Sequence, residues 1–192
     1  MNPHHLISIA ALSAGQLGHL LDSAQALRPD ALSGPRHRTA LAGKTVCTLF
    51  FVSSTRPRSS LQLAAARLGA DVLNFDAGSS SAKKGETAVD TMRNLEAMGV
   101  DCFVVRTGVD GELKTLIDAA GPNTHFINAG DGRSNHPTQA LLDMLTIRQH
   151  KGGDFSGLRV VMAGDILHSR VARSELQALK MLGCGEIGGC GP

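Results

Sequence analysis

A doubly wound α/β fold with a parallel sheet, followed by the start of a second α/β unit, is what this sequence predicts, on three observations. Short β-branched and apolar runs alternate with helix-like segments from Thr45 onward, the order that builds a parallel sheet covered on both faces. Polar residues collect where the strand-like runs end, which is where open α/β sheets receive ligands. The alternation is interrupted at Lys151-Gly152-Gly153-Asp154, a hinge-like stretch, and then resumes.

Taken in order, Ser13 opens an amphipathic helix with Leu17, Leu20, Leu21 and Leu27 on its apolar side. A polar loop containing Pro and Gly is expected over 28–43. Strands are expected over 45–51, 71–75, 102–106 and 125–128, each a short apolar run. Helices are expected over 57–68, 87–98 and 111–119, with another over 138–149 leading to the hinge. Beyond it, 158–163 reads as a new buried strand and 170–182 as its helix. Gly185 to Pro192 reads as the opening of a further strand at which the chain stops. One strand and one helix do not close a domain, so the second unit is expected to be cut short, as in a fragment or a frame-disrupted gene. The division expected is 1–150 and 151–192.

Composition narrows the function classes. Of 192 residues 42% are apolar and 19% charged, the balance of a globular chain and not of a disordered one. A net charge of +2 with scattered basic residues gives no case for nucleic acid, and without Trp or Tyr there is no stacking platform for single strands. The cysteines Cys47, Cys102, Cys184 and Cys190 are far apart and form neither a CxxC nor a Cys/His cluster, so reduced, buried thiols are expected and no metal. The first dozen residues show no basic leader or cleavage pattern, and no apolar run is long enough for a membrane span. A cytoplasmic protein is expected.

The chemistry concentrates in Ser53-Ser54-Thr55-Arg56-Pro57-Arg58-Ser59-Ser60, between a strand and a helix. A helix starting after Ser54 aims its free N–H groups and positive dipole end at the turn, and Arg56 adds a full charge. That makes an anion site, most simply for phosphate; a plain Ser cap with two solvated arginines is the other reading, and the turn alone leaves both open. Arg106 ends one strand-like run, and Asn128 to Gln139 follows another and opens a helix. GxxxxGK[ST] and GxGxxG are both absent, which disfavours a P-loop NTPase and a dinucleotide binder. Singly, His136 reads as a packing or capping residue and Arg106 as an ion-pair partner.

Together the motifs Ser54-Thr55-Arg56-Pro57-Arg58, Lys83-Lys84-Gly85-Glu86-Thr87, Val104-Val105-Arg106, His136-Pro137-Thr138-Gln139-Ala140-Leu141-Leu142-Asp143 and Gly164-Asp165 resemble the aspartate carbamoyltransferase catalytic chain over essentially the whole sequence. The ornithine branch shares the first motif but typically has Cys where Thr138 stands and lacks the Lys-Gly-Glu loop. The resemblance implies a carbamoyl-phosphate domain over 1–150 and an incomplete aspartate domain over 151–192. It implies transfer of the carbamoyl group of carbamoyl phosphate to L-aspartate in pyrimidine biosynthesis, with no cofactor and no metal.

By the same resemblance Ser54, Thr55 and Arg56 would hold the phosphate. Arg106 and His136 would polarise the carbamoyl oxygen, Gln139 would orient the amide, and Arg170 would bind aspartate. Arg56, Arg106 and His136 are the expected catalytic groups. Ser80 and Lys84 would reach into a neighbouring subunit's site, implying a homotrimer with shared active sites. Family members also assemble with regulatory or dihydroorotase-like chains, but nothing in this sequence selects one. Two positions depart from the family: Val52 stands where a Glu is usual, and Pro57 where a Thr is usual. They motivate the rival expectation, a catalytically impaired fragment or paralogue that only binds carbamoyl phosphate or assembles with partners.

Overall fold

Two units make up the chain, Pro35–Gly132 and Met1–Gly34 with Arg133–Pro192; the computed structural model describes residues 4–32, 39–76 and 86–191. In chain order the elements are β1 (His5–Leu6), a 3₁₀ turn (Ile9–Ala11), α1 (Ala14–Leu32), β2 (Thr45–Phe50), α2 (Thr55–Arg67) and β3 (Asp71–Asp76). There follow α3 (Ala88–Ala97), β4 (Cys102–Thr107), α4 (Glu112–Ala119), β5 (His125–Asp131), α5 (Pro137–Lys151), β6 (Arg159–Ala163), α6 (Arg170–Met181) and β7 (Glu186–Cys190).

Within Pro35–Gly132 the strands run parallel in the order β5-β4-β2-β3. The first strand, β2, lies inside the sheet. Its register sets Phe50 beside Asp76 on one flank and Arg106 on the other. After β2 the chain winds outward to β3, then returns across to β4 and β5, so the winding direction switches between β2 and β4. Side chains alternate across the pleat. Val46, Phe50, Val104 and Ala129 gather under Ala65 and Leu61 of α2. Cys47, Leu49, Phe103 and Val105 point the other way and are almost wholly buried, with Phe103 and Phe126 stacked at 5.6 Å between ring centroids. Helix α4 packs on β4 and β5 and against α3, and these helices bury Met92, Leu95, Leu113 and Leu116. Each such side chain contributes about 1.5–3 kcal/mol by leaving water. The sheet is therefore covered on both faces, as expected.

The edge of the sheet opposite the strand ends is tied by Asp101. Its carboxylate accepts from Lys44 Nζ and from the Thr45 N–H, both at 2.8 Å. Those bonds hold its pKa below the ordinary carboxylate value.

In the other unit α1, α5 and α6 bury Leu17, Leu21, Ala140, Met144, Ala178 and Leu179, together with Phe155 and Ile9. Ser13 and Gln16 close a reciprocal cap on α1, Gln16 N–H donating to Ser13 Oγ at 3.2 Å and Ser13 N–H to Gln16 Oε1 at 2.8 Å. Strands β6 and β7 pair in parallel, and Arg159 bridges to Glu186 at 2.5 Å on their exposed side.

Five local expectations change. Strand β6, expected to be buried, is exposed or half-buried along its length, with Val161 70% exposed. Helix α1 continues through Pro29 to Leu32, where a loop was expected from residue 28. Proline removes one N–H bond, but its fixed φ is compatible with helix, so the following turn can still form. Helix α2 starts at Thr55, directly after Ser54 as the anion-turn reading expected and two residues before the range given from 57, with Pro57 inside its first turn. Strand β5 runs on to Asp131 through an irregularity opposite Val105–Thr107. Finally, Cys190 is exposed, unlike Cys47, although all four cysteines are free thiols.

Candidate functional site

The end of β2 and the end of β4 meet at the switch in winding direction, the position where open α/β sheets leave a crevice. The Phe51 N–H donates to the Arg106 carbonyl at 2.9 Å, so the turn entering α2 starts alongside Arg106. Ser54 is the N-cap of α2, extended at φ −161°, and its hydroxyl makes no capping bond. By helix geometry the N–H groups of Ser54, Thr55 and Arg56 lack acceptors within the helix, and Pro57 has none to offer. Thr55 and Arg56 are exposed and Ser54 half-buried. No acidic residue stands in this first turn, so the turn itself supplies no charge to offset the dipole's positive end or Arg56.

Arg106 is half-buried at the end of β4, and its Nη1 donates to the Ala129 carbonyl at 3.2 Å. That carbonyl belongs to the irregular part of β5, where the Gly130 N–H donates to Asn128 Oδ1 at 2.7 Å. The irregularity thus turns a carbonyl toward Arg106 and fixes one arm of the guanidinium. Next to it Thr107 Oγ1 lies 3.0 Å from Asp131 Oδ1 and 3.1 Å from the Val109 carbonyl. Burial, and then the negative charge of Asp131, push the Glu112 carboxyl above its ordinary pKa. Val52 is half-buried beside Gly108: a Cβ built on that glycine would sit 2.8 Å from Val52 Cγ1.

In the other unit His136 is the N-cap of α5 and only 5% exposed. Its N–H donates at 2.9 Å to Ser174 Oγ, a wholly buried hydroxyl on α6. Thr138 Oγ1 lies 3.3 Å from His136 Nδ1. One turn along, Gln139 Nε2 donates to both carboxylate oxygens of Asp143 at 3.1 Å. A carboxylate only accepts, so this bond turns the amide NH₂ toward Asp143 and leaves Gln139 Oε1 as an acceptor for something else. Arg170 is the first residue of α6, whose N-cap Ser169 accepts from the Ala172 N–H at 3.1 Å. Like Arg56, it places a cation at the positive end of a helix, which its own helix disfavours.

The structure therefore brings Ser54, Thr55, Arg56 and Arg106 to neighbouring strand ends of one unit, and sets His136 and Gln139 on the first turn of α5 and Arg170 at the head of α6 in the other. Ser80 and Lys84 lie outside the described residues. Among the described residues, no group of three or more His, Cys, Asp or Glu could hold a metal ion, and no helix is long and apolar enough to cross a membrane. Asp143 and Glu175 had no expected role. Asp143 is legible as the i+4 partner of Gln139, whereas Glu175, whose carboxyl pKa is pushed up to about 7 by burial and then by Asp143, stands on a different helix and carries no local signal.

Residues 4–149 match the model of the aspartate/ornithine carbamoyltransferase carbamoyl-P binding domain. The aspartate carbamoyltransferase catalytic subunit of Xanthomonas campestris pv. campestris is 61% identical over 188 residues, and that of Stenotrophomonas maltophilia 62% over 189. Each alignment covers 98% of this chain and 60% of the relative, so the chain spans about three-fifths of the length of the curated relatives it matches. Among solved structures, the Trypanosoma cruzi aspartate transcarbamoylase in complex with carbamoyl phosphate and aspartate is similar at a TM-score of 0.83 and 34% identity. That match covers 91% of this chain and 53% of the other.

Proposed function

The chain belongs to the aspartate/ornithine carbamoyltransferase family, and from that premise we propose that it is part of an aspartate carbamoyltransferase catalytic chain. In this reading 1–150 bind carbamoyl phosphate and 151–192 begin an aspartate-binding domain. The reaction is transfer of the carbamoyl group to the amine of L-aspartate, giving N-carbamoyl-L-aspartate and phosphate for pyrimidine synthesis in the cytoplasm. The observation that carries it is the α2 N-terminus with its free N–H groups and Arg56, set at the winding switch beside Arg106. The relatives add support, since the solved enzyme binds carbamoyl phosphate and aspartate.

The roles follow from what each group can donate. Ser54, Thr55 and Arg56 present N–H groups, hydroxyls and a guanidinium to a phosphate, all of them charge-assisted donors. Arg106 and His136 donate to the carbamoyl oxygen. The aspartate nitrogen attacks the carbonyl carbon, negative charge collects on that oxygen, and fixed donors stabilise it without reorganising. The carbon–oxygen bond to phosphate then breaks, and the departing phosphate accepts the amine's proton. Gln139 Oε1 accepts from the carbamoyl NH₂ and orients it, and Arg170 takes a carboxylate of aspartate. Ser80 and Lys84 act in a neighbouring subunit's site, so the active assembly is a homotrimer.

A second reading is favoured by Val52, packed on Gly108, and by Pro57, which withholds an N–H from the anion turn: a chain that binds carbamoyl phosphate without turning it over. Calorimetric titration tests the binding roles common to both readings. Arg56→Ala should weaken carbamoyl phosphate and inorganic phosphate alike, by about tenfold or more for one lost charge-assisted bond. His136→Ala should weaken carbamoyl phosphate alone. Equal losses for both ligands in His136→Ala sink the carbonyl assignment. Formation of carbamoyl aspartate by the unmodified chain decides between the two readings.

A further inference from the structure

We propose that Thr138 is a positioning residue for His136: its hydroxyl donates to the imidazole Nδ1 and so keeps the ring proton on Nε2, the nitrogen that meets the carbamoyl oxygen; this rests on the role proposed above for His136. Thr138 Oγ1 lies 3.3 Å from His136 Nδ1, and the contact alone does not say which of the two supplies the proton. The direction follows from burial and from the place of each residue on α5. His136 is only 5% exposed, and burial disfavours the charged form of an imidazole. A neutral ring carries its proton on one nitrogen, and the other nitrogen accepts. Nδ1 faces Thr138, so the ring addresses a ligand through Nε2. To donate from there it must leave Nδ1 as the acceptor, and the partner of Nδ1 must be a donor.

Thr138 is placed to be that donor. It is the second residue of α5, directly after Pro137. A threonine inside a helix can send its proton back to the carbonyl one turn earlier, as Thr146 of the same helix does to the Leu142 carbonyl at 2.9 Å. The residue four before Thr138 is Ser134, ahead of the helix, so α5 offers Thr138 no such carbonyl, and the hydroxyl reaches the imidazole. The backbone fixes both partners. The His136 N–H donates to Ser174 Oγ at 2.9 Å, and the His136 carbonyl accepts from the Gln139 and Ala140 N–H groups at 3.1 and 3.2 Å. Between the two residues Pro137 locks its own φ. The pair is thus set before any ligand arrives. With the proton on Nε2, the ring polarises the carbamoyl carbonyl as a fixed donor. With the proton on Nδ1, the Nε2 lone pair faces the lone pairs of the carbonyl oxygen, and the contact becomes repulsive.

The test reads the tautomer directly, by nitrogen-15 NMR of the imidazole nitrogens in the full chain, with the His136 signals assigned by their loss in His136→Gln. In the unmodified chain Nε2 should carry the proton and Nδ1 should be bare. Thr138→Val keeps the shape but removes the hydroxyl, and the two signals should move toward each other or exchange; Thr138→Ser should restore them. A proton on Nδ1 in the unmodified chain, a ring protonated at both nitrogens, or ring signals unchanged in Thr138→Val overturns the proposal. By calorimetry, carbamoyl phosphate should bind about threefold to tenfold more weakly to Thr138→Val, the loss of one neutral hydrogen bond. It should recover in Thr138→Ser, with inorganic phosphate affinity level throughout. Weaker carbamoyl phosphate binding with an unchanged ring would mean that the hydroxyl acts on the ligand and not through His136. If the tautomer behaves as described but carbamoyl phosphate does not bind to the unmodified chain, the functional reading fails and the hold of Thr138 on the ring stands.

Discussion

Pro57 is the single residue with most leverage over the proposed phosphate site. It occupies the third position of α2, where its ring suits the backbone but removes one of the four N–H groups that a helix start offers an anion. A threonine there restores that N–H and adds a hydroxyl. One regained hydrogen bond to a charged ligand is worth about 1.5–3 kcal/mol, so Pro57→Thr should tighten carbamoyl phosphate binding by about tenfold or more. Unchanged affinity in calorimetric titration means that this turn does not cradle the phosphate. Residues such as Arg56 and Arg106 were legible in the sequence because each follows a strand-like run, and strand ends are where α/β sheets bind ligands. Gln139 came from the resemblance, and its hold on Asp143 is a one-turn spacing visible in the chain. Glu175 was not legible: its raised pKa comes from burial and from Asp143 on another helix, and no local pattern encodes that packing.

At the scale of elements, two carboxyl groups should give the stability of the chain opposite slopes with pH. Asp101 fastens β2 to the start of β4 through Lys44 and the Thr45 N–H, and its pKa is lowered from 3.8. A carboxylate with a depressed folded pKa adds stability above its unfolded value, and that stability is lost as pH falls through the folded one. Asp101→Asn should therefore cost about 1 kcal/mol near neutrality, a value discounted for its partial exposure, and the difference should shrink below pH 3.8. Glu175 works the other way. Its pKa is raised from 4.5 to about 7, so the native state binds the extra proton and stability falls as pH rises through that window. Chemical denaturation should show that decline between pH 4.5 and about 7 flattened in Glu175→Gln; an unaltered slope would count against a protonated Glu175 in the native state. The elements themselves were largely legible, because β2, β3, β4 and α2 to α4 announce themselves by apolar period. The end of β5 was not. Ala129-Gly130-Asp131 looks like a loop, yet Asn128 Oδ1 accepts from the Gly130 N–H and the strand continues past the irregularity. The end of α1 was missed for the converse reason: Pro29 reads as a breaker, yet the helix continues for three residues beyond it.

At the scale of the molecule, the open question is whether the proposed site is complete within one chain. Arg56 and Arg106 sit on adjacent strand ends, whereas Lys84, which the family resemblance assigns to a neighbour's site, lies outside the described residues. A closed symmetric ring makes the sharing testable without turnover, because each interface repeats around the ring. Lys84→Ala and Arg56→Ala chains should each bind carbamoyl phosphate weakly on their own. Mixed, dissociated and reassembled, they should regain tight binding at about a quarter of the sites, the chance that an intact Arg56 faces a neighbour's intact Lys84 when chains assort at random. Calorimetric stoichiometry reads that fraction directly, and sedimentation equilibrium shows whether the binding species is a trimer. Binding in the mixture that merely averages the two variants would place Lys84 in the same chain's site or in none. A chain that stays monomeric while binding carbamoyl phosphate tightly would remove the neighbour from the mechanism altogether.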